Sequence, residues 1–543
     1  MNIITKGLSS SKLIIFVSVF LYVLGNFTFV SEVLKIFPVS LKNILFLLSL
    51  SVVFICFNII LLSLVSTKYT IKPALILIVL ISSLSAYFMD TYKIVIDVAM
   101  IDNILNSDVR ESLELFSITQ LLYFLFLGVL PSILIYKINI QHCSLKKSII
   151  SRVSLLGASI VTIIIMFLLF GNYYASFIRE HKPLRYYSNP SYYIYSTGRY
   201  ISNFFDNSNM PFKHIGQDAK KDDSDGDREL IIFVVGETAR ADHFSLNGYS
   251  RKTNPYLEKE NVISFQNIFS CGTSTAYSVP CLFSIYDQSN FEENKAKRTE
   301  NVLDILYHSG SNVIWLDNNS NSKGVADRIP HESYKTDDKN SICDVECRDI
   351  GMLTNLQAYI DAHQKEDIFI VLHQMGNHGP AYYKRYPPAF EKFKPVCKTN
   401  ELELCSNEAI RNAYDNALLY TDYFLSQVIA LLKNNEQTFE AALFYISDHG
   451  ESLGENGLYL HGLPYMLAPE SQTHVPLIMW FSNSYDKDEV NIDTLRLKVR
   501  NNYSHDNIFH TILGLMEVET DVYDESMDII KHAHSHSTKD RHD

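Results

Sequence analysis

Five long apolar segments crowd the first third of the chain, roughly residues 13–30, 44–66, 73–89, 115–136 and 153–170, and nothing else in the sequence constrains the fold as strongly. Each is near the ~20 residues that an α-helix needs to cross the hydrocarbon core of a bilayer. Every backbone N–H and C=O must be satisfied within such a segment, so the expectation is five membrane-spanning helices. Asn58 and Pro131 fall inside spans and are tolerated where neighbouring helices satisfy the backbone. The first segment reads as a span rather than a cleaved leader, because four more follow it and no small-residue cleavage site is evident.

Orientation follows from the short loops. Lys6, Lys12, Lys68, Lys72, Lys137, Lys146, Lys147 and Arg152 fall on one side. Lys35, Lys42, Lys93 and Arg110 fall on the other, among Asp90, Asp97, Asp102, Asp108, Glu111 and Glu114. Eight cations against four place the amino terminus in the cytoplasm. An odd number of spans then puts everything after Phe170 outside.

The cysteines agree with that topology. Cys56 and Cys143 lie in the apolar third, whereas the other six form close pairs, Cys271/Cys281, Cys343/Cys347 and Cys397/Cys405. Such spacing suggests short-loop disulfides and an oxidising compartment, with a zinc knuckle or buried thiols as the alternatives.

A length of 543 residues predicts two or three domains, and a net charge of −13 argues against a nucleic-acid partner. A local phosphate site is compatible with that charge. After the third span, Asn103, Ser107 and Glu111 are spaced four apart and form one polar stripe on a helix: a solvated face, or a site for a polar lipid headgroup. Residues 173–205 mix Tyr and Asn with Arg179, Lys182 and Arg185, as suits a segment lying in the membrane interface. Residues 217–229 (QDAKKDDSDGDRE) lack apolar periodicity and read as a flexible linker. The expected division is thus a membrane domain (1–172), an interfacial segment and linker (173–229) and a catalytic domain (230–543). His532, His534 and His536 in the tail are read as a frayed polar terminus rather than a metal site.

Beyond residue 230, continuous apolar runs at 230–235, 313–316, 368–372, 441–446 and 475–481 alternate with helical patterns at 301–308, closed by Gly310, and at 408–433. The alternation predicts an α/β sandwich around a mostly parallel sheet. Open α/β sheets place their sites at the carboxyl ends of the strands. There the run 441–446 breaks into Ser447-Asp448-His449-Gly450-Glu451, and the run 230–235 into Gly236-Glu237-Thr238. Glu237, Asp448 and His449 offer three ligands of the kind zinc takes and leave a fourth position open, as a catalytic ion requires.

The loop Cys271-Gly-Thr-Ser-Thr275-Ala-Tyr-Ser-Val-Pro-Cys281 holds hydroxyls where a loop can enter a helix, whose free N–H groups favour an anion. A metal-bound Thr275 hydroxyl is a competent nucleophile, whereas simple helix capping is the bland alternative. Asn319 and Lys323 follow the run 313–316, His378 lies in Gly376-Asn-His-Gly-Pro380, and His461 in Leu460-His-Gly-Leu-Pro464. Together these would surround an open metal position with positive charge and proton donors, as a phosphoryl site wants.

These stretches carry a resemblance. Val235-Gly-Glu-Thr-Ala-Arg-Ala-Asp-His-Phe-Ser-Leu-Asn-Gly-Tyr249, the loop 270–281, residues 376–382 and residues 447–464 resemble the signature motifs of the bacterial lipid A phosphoethanolamine transferases. That group includes the mobile colistin-resistance enzymes, and the likeness spans the whole chain. It implies a five-helix membrane domain followed by an alkaline-phosphatase/sulfatase-like α/β/α sandwich with three disulfides, set in the periplasm on the bacterial inner membrane.

The resemblance further implies that Glu237, Thr275, Asp448 and His449 hold zinc and that Thr275 becomes phosphoethanolamine-modified. Asn319, Lys323, His378 and His461 then line the phosphoethanolamine site, with His378 and His461 as candidate ligands of a second zinc. Asn103, Ser107 and Glu111 match the family's Asn-Thr-Glu headgroup contacts, with Ser for the usual Thr.

The expected reaction is a double displacement by a monomeric enzyme, from phosphatidylethanolamine to Thr275 and then to a phosphate of lipid A. His378 or His461 serves as proton donor and Lys323 as a further catalytic cation, and the modified outer membrane resists polymyxins. The alternatives are transfer to core sugars of lipopolysaccharide, phosphoglycerol transfer, and a membrane sensor with structural zinc. A sulfatase is disfavoured, since no Cys/Ser-x-Pro-x-Arg motif occurs.

Overall fold

The computed structural model describes residues 7–67, 69–106, 114–141, 144–207, 211–221, 227–483, 485 and 490–531. It divides into two compact units, Met1–Ile104 with Phe116–Ser202, and Leu105–Leu115 with Asn203–Asp543. Cys143 and the tail histidines 532, 534 and 536 lie outside the described residues.

In the first unit α1 (Ser10–Gly25) starts on Ser9, whose hydroxyl accepts the Lys12 N–H, and runs into α2 (Phe27–Ile36) across a 64° bend. The helices α3 (Ile44–Val65), α4 (Ile71–Tyr92), α6 (Ile118–Lys137) and α7 (Leu145–Leu169) are long and apolar enough to cross a membrane. A short α5 (Val98–Asn106) separates α4 from α6. The described spans therefore number four, or five with the bent pair taken as one.

The bend has an identifiable cause. Asn26 is buried between α1 and α2, and its amide donates to Leu21 O at 2.8 Å and to Asn189 O at 2.6 Å. Asn189 returns its own N–H to Asn26 Oδ1 at 2.9 Å, while its side chain donates to Gly25 O and Ser82 O, both at 2.9 Å. Backbone carbonyls freed by the break are thus taken up by two amides, as a nonpolar medium demands. Pro131 is accommodated within α6 by a π-helical stretch, Phe124–Val129, just before it. There Gly128 faces Ser83 so closely that an added Cβ would sit 2.6 Å from its hydroxyl. After α7, the aromatic segment forms α8 (Gly171–Glu180) and α9 (Ser191–Asn207).

The second unit is built on a sheet whose strands are β1 (Glu229–Gly236), β2 (Ile263–Phe269), β3 (Asn312–Asp317), β4 (His331–Ser333), β5 (Ile368–His373), β6 (Glu440–Ser447), β7 (His474–Phe481) and β8 (Asn502–Ser504). Their spatial order is β8-β2-β7-β6-β1-β5-β3-β4. From β6 to β4 neighbouring strands are parallel. All eight residues of β1 and of β6 are buried, as expected where helices cover both faces.

Three features depart from the sequence reading. The run 475–481 enters as β7, antiparallel to both β6 and β2, and β2 itself alternates too weakly to be recognised. Part of the expected linker is also held, because Lys220–Lys221 pairs with Val518–Glu519 and the Lys221 ammonium meets Glu229 and Asp367.

The register sets the site. Gly236 stands opposite Ser447, Val235 opposite His373, and Asp317 opposite His373, so β1, β6, β5 and β3 end side by side. Helix α10 (Thr275–Leu282) enters at the same edge. Helix α12 (Asn407–Lys433), capped by the Ser406 hydroxyl accepting the Ala409 N–H, packs along β6. The shorter α11 (Val302–His308) opens on an Asn301/Asp304 capping box and is followed by Gly310 at φ +106°. Three disulfides close the loops Cys271–Cys281, Cys343–Cys347 and Cys397–Cys405, and Cys56 is free.

Replacing Asn189 by Ala strips Gly25 O, at the break, of its side-chain donor and removes the second bond to Ser82 O, which lies within α4. A buried carbonyl left unpaired costs about 1–3 kcal/mol in water-soluble proteins and somewhat less in a bilayer. The expected outcome is a drop of several degrees in the unfolding temperature of the detergent-solubilised protein, measured by fluorescence-monitored melting. An unshifted transition would rule out the clasp.

Candidate active site and metal centre

At the carboxyl edge of the sheet four side chains converge. Glu237 follows β1, Asp448 and His449 follow β6, and Thr275 is the first residue of α10; all four are at most 8% exposed. Thr275 Oγ1 donates to Glu237 Oε2 at 3.0 Å and lies 3.3 Å from His449 Nε2. His449 Nε2 in turn is 3.5 Å from Glu237 Oε1 and 3.4 Å from Asp448 Oδ2. The ligand atoms of Glu237, Asp448 and His449 all fall within 4.8 Å of one another.

Backbone chemistry fixes this geometry. Asp448 N–H continues the ladder to Gly236 O at 2.9 Å, and its Oδ1 accepts the Thr238 and His449 N–H groups. Thr238 is held at φ +59° beside the ligand, with Tyr414 donating to its carbonyl at 2.7 Å. Gly450 is required by close approach, since a Cβ there would sit 2.2 Å from Ser471 O.

The residues fit a divalent metal. His449 Nδ1 faces Gly450 O at 2.8 Å, and a carbonyl only accepts, so Nδ1 carries the proton and Nε2 turns its lone pair toward the carboxylates. Asp448 Oδ2 is buried without a hydrogen-bond partner, which is costly unless a cation meets it. Burial raises the Asp448 carboxyl, and the Glu237 charge beside it raises it further. Burial would raise Glu237 as well, but the imidazoles of His449, His378 and His461 hold it below the usual carboxylate range. Two buried carboxylates facing one nitrogen lone pair and one hydroxyl form a donor set for zinc or a similar ion.

The remaining expected residues are placed as follows. Asn319 is buried, and its amide donates to Glu237 Oε2 and to Gln374 O, both at 2.7 Å. It touches the ligand carboxylate directly. Lys323 lies in the same loop at φ +53°, with Nζ donating to Ser320 O at 3.4 Å. The His461 ring lies 4.3 Å from that of His449, tilted by 46°, and the His378 ring lies 5.9 Å from that of His461. His378 Nδ1 is buried without a partner. Asn103 is in α5 of the first unit, while Ser107 and Glu111 lie outside the described residues.

Several supporting residues escaped the sequence reading. Glu451 is fully buried, accepting His461 Nδ1–H at 2.8 Å and the Tyr382 hydroxyl at 2.5 Å. Its place two residues after His449 was the available signal. Asp349 accepts the Met375 and Gly376 N–H groups and shapes the loop bearing His378. Arg385 Nε donates to His378 O at 2.7 Å, and its guanidinium meets Glu346 and Glu114. Nothing in the sequence links Glu114, some 270 residues away, to Arg385.

Most of the long motif after β1 supports rather than reacts. His243, Tyr249 and Arg251 all bond the buried Asp415 of α12, at 2.6, 2.9 and 2.8 Å. Arg240 pairs with Asp242 and Glu455.

Comparison with known proteins places this geometry. The sequence matches the profile of "Phosphoethanolamine transferase EptA/EptB" over residues 54–204 and that of "Sulfatase" over 229–518. It is 42% identical over 514 residues to phosphatidylethanolamine transferase Mcr-2 of Escherichia coli, covering 92% of this chain and 94% of the relative. Phosphoethanolamine transferase EptA of Escherichia coli K12 is 41% identical over 514 residues, covering 93% and 94%. Among solved structures, the integral membrane lipooligosaccharide phosphoethanolamine transferase A of Neisseria meningitidis superposes with a TM-score of 0.93 at 34% identity, covering 97% of this chain and 99% of that one.

Asn319→Ala removes the one side-chain amide that steadies Glu237. Loss of such a partner behind a metal ligand weakens metal binding about 10–100-fold. Chelator competition on the purified full-length protein measures this, with circular dichroism expected to be unchanged. Wild-type metal affinity would remove Asn319 from the site.

Proposed function

The chain belongs to the EptA/EptB phosphoethanolamine transferase family, and on that footing we propose that it moves phosphoethanolamine from phosphatidylethanolamine to a phosphate of lipid A through a covalent intermediate on Thr275. The observation that carries this reading is the Thr275 hydroxyl, first residue of α10, set 3.0 Å from Glu237 and 3.3 Å from His449 in a buried acidic pocket. A hydroxyl seated there is a nucleophile rather than a helix cap, since Ser274 occupies the capping position.

Glu237, Thr275, Asp448 and His449 hold the metal in this reading, and zinc is the ion their chemistry suits. Bound there, zinc supplies a lowered hydroxyl pKa and neutralises charge on the phosphate. Thr275 Oγ attacks the phosphorus of the donor lipid, a P–Oγ bond forms and the bond to the glycerol oxygen breaks. His461 fits the role of proton donor to the departing diacylglycerol. Glu451 holds its Nδ1–H and leaves the other ring nitrogen for the reaction, and carboxylates raise the imidazole to about 9 despite its burial. His378 is the second candidate for that role. Lys323 and Asn319 complete the headgroup pocket, with Asn103, Ser107 and Glu111 as a headgroup contact at the membrane surface. In the second half a lipid A phosphate oxygen attacks the same phosphorus and Thr275 Oγ leaves.

The membrane unit suits this chemistry because donor and acceptor are both lipids, so anchoring confines the search to a plane. We place the first 172 residues in the inner membrane as five helices, 173–229 as an interfacial segment and linker, and 230–543 as a monomeric catalytic domain in the periplasm. The three disulfides suit that compartment. The added ethanolamine lowers the negative charge of the outer membrane, which weakens its attraction for polymyxins and other cationic peptides.

Intact-mass analysis after incubation with phosphatidylethanolamine tests the intermediate. Wild-type protein gains one phosphoethanolamine, and Thr275→Ala gains none and loses at least about 10³-fold in turnover, as removal of a nucleophile does. A modified Thr275→Ala protein would end the proposal. Lipid A masses from cells with and without the gene identify the acceptor, and an unchanged lipid A beside a modified core oligosaccharide would reassign it.

A further inference from the structure

The end of the membrane unit where α1, α4 and α7 begin and α6 finishes carries a feature the transfer reaction does not use. A cavity of about 900 Å³ opens there, lined by Lys72, Lys147 and Arg152 together with apolar residues such as Ile71, Ile76 and Ile140. The walls are tied together. Leu8 N–H donates to Asn139 O at 2.9 Å, Gln141 N–H to Leu8 O at 3.0 Å, and Ser11 and Ser151 share a hydroxyl contact of 2.9 Å. Lys72 Nζ donates to Tyr136 O at 2.8 Å and keeps two further protons, while Lys147 is exposed and Arg152 half-buried.

The charge at this end is one-sided. Residues 1–12, 66–73 and 136–152 contain no Asp or Glu, so no carboxylate from these segments compensates the three cations. Three helices start here and add their positive dipole ends. Beside the cavity the outer face of α7 exposes Ile149, Ile150 and Val153, the surface that acyl chains cover in a bilayer.

We propose that this cavity binds the headgroup of an anionic phospholipid, with its phosphodiester among Lys72, Lys147 and Arg152 and its chains along α7. A zwitterionic lipid is disfavoured, because its ammonium would face three cations and no carboxylate. The site is therefore separate from the one that takes the donor lipid, and it lies at the end of the spans where α7 begins. Basic pockets between spans on the cytoplasmic side are a general means of holding such headgroups. The excess of cations assigns this end to the cytoplasm.

The test uses the full-length protein in detergent, with binding of short-chain phosphatidylglycerol read by native mass spectrometry. Each cation near an anionic headgroup contributes about fivefold in affinity, so Lys72→Gln/Lys147→Gln/Arg152→Gln weakens binding about a hundredfold. Lys147→Gln alone, at an exposed position that cannot unfold the bundle, weakens it about fivefold. The charge-retaining Lys72→Arg/Lys147→Arg/Arg152→Lys variant stays close to wild type. Phosphatidylethanolamine and glycerol phosphate, added at the same concentration, fail to displace the bound lipid. Equal phosphatidylglycerol affinity in wild type and Lys147→Gln overturns the proposal, as does displacement by phosphatidylethanolamine. Displacement by glycerol phosphate reassigns the cavity to free anions and overturns it equally.

Discussion

Two carboxylates, Glu237 and Asp448, are buried beside each other at one edge of the sheet, and most of the catalytic unit follows from that arrangement. Like charges in a dry environment repel, and one oxygen of Asp448 has no hydrogen-bond partner. The surroundings are arranged to make the pair tolerable. The His449 imidazole lies 3.5 Å from Glu237, with the rings of His461 and His378 beyond it, and the Asn319 amide and Thr275 hydroxyl donate to the same carboxylate. A divalent cation held there would complete the compensation, and the same charge would suit a reaction in which negative charge builds on phosphorus-bound oxygens.

Holding those groups in place takes more residues than the chemistry does. Asp415 from the middle of α12 gathers His243, Tyr249 and Arg251, so the loop after β1 is pinned to a helix that itself packs on β6. Glu451 fixes His461, and Asp349 with Arg385 fixes the loop bearing His378. The His461 ring and the loop bearing His378 thus rest on buried ionic partners, which narrows their placement at the expense of desolvating those partners. The disulfide from Cys271 to Cys281 spans the turn that presents Thr275 and limits its freedom in the same sense.

The membrane unit solves a related problem with uncharged groups. A break between α1 and α2 would leave carbonyls unpaired in hydrocarbon, and the Asn26/Asn189 clasp takes them up. At the opposite end of the same helix the compensation is withheld, leaving cations with no acid in the adjoining segments. Where polar groups are balanced the bundle is held together, and where they are not it is poised for an external anion.

The sequence by itself determined most of the elements and the strand ends at which the candidate ligands lie. Apolar length marked the spans, because a bilayer imposes it locally. Continuous apolar runs marked β1, β3, β5 and β6, because strands buried on both faces admit nothing else. The residues that end those strands, Glu237, Asp448 and His449, were legible because sites of open α/β sheets lie at strand ends. What only the tertiary structure decided was which distant groups meet. The bend at Asn26, the antiparallel course of β7, the weakly patterned β2, the turn of the Asn319 amide onto Glu237 and the meeting of Glu114 with Arg385 all depend on long-range partners. Local periodicity reports the environment of one segment, whereas such pairings depend on strand order and loop closure, quantities that no single stretch of chain contains.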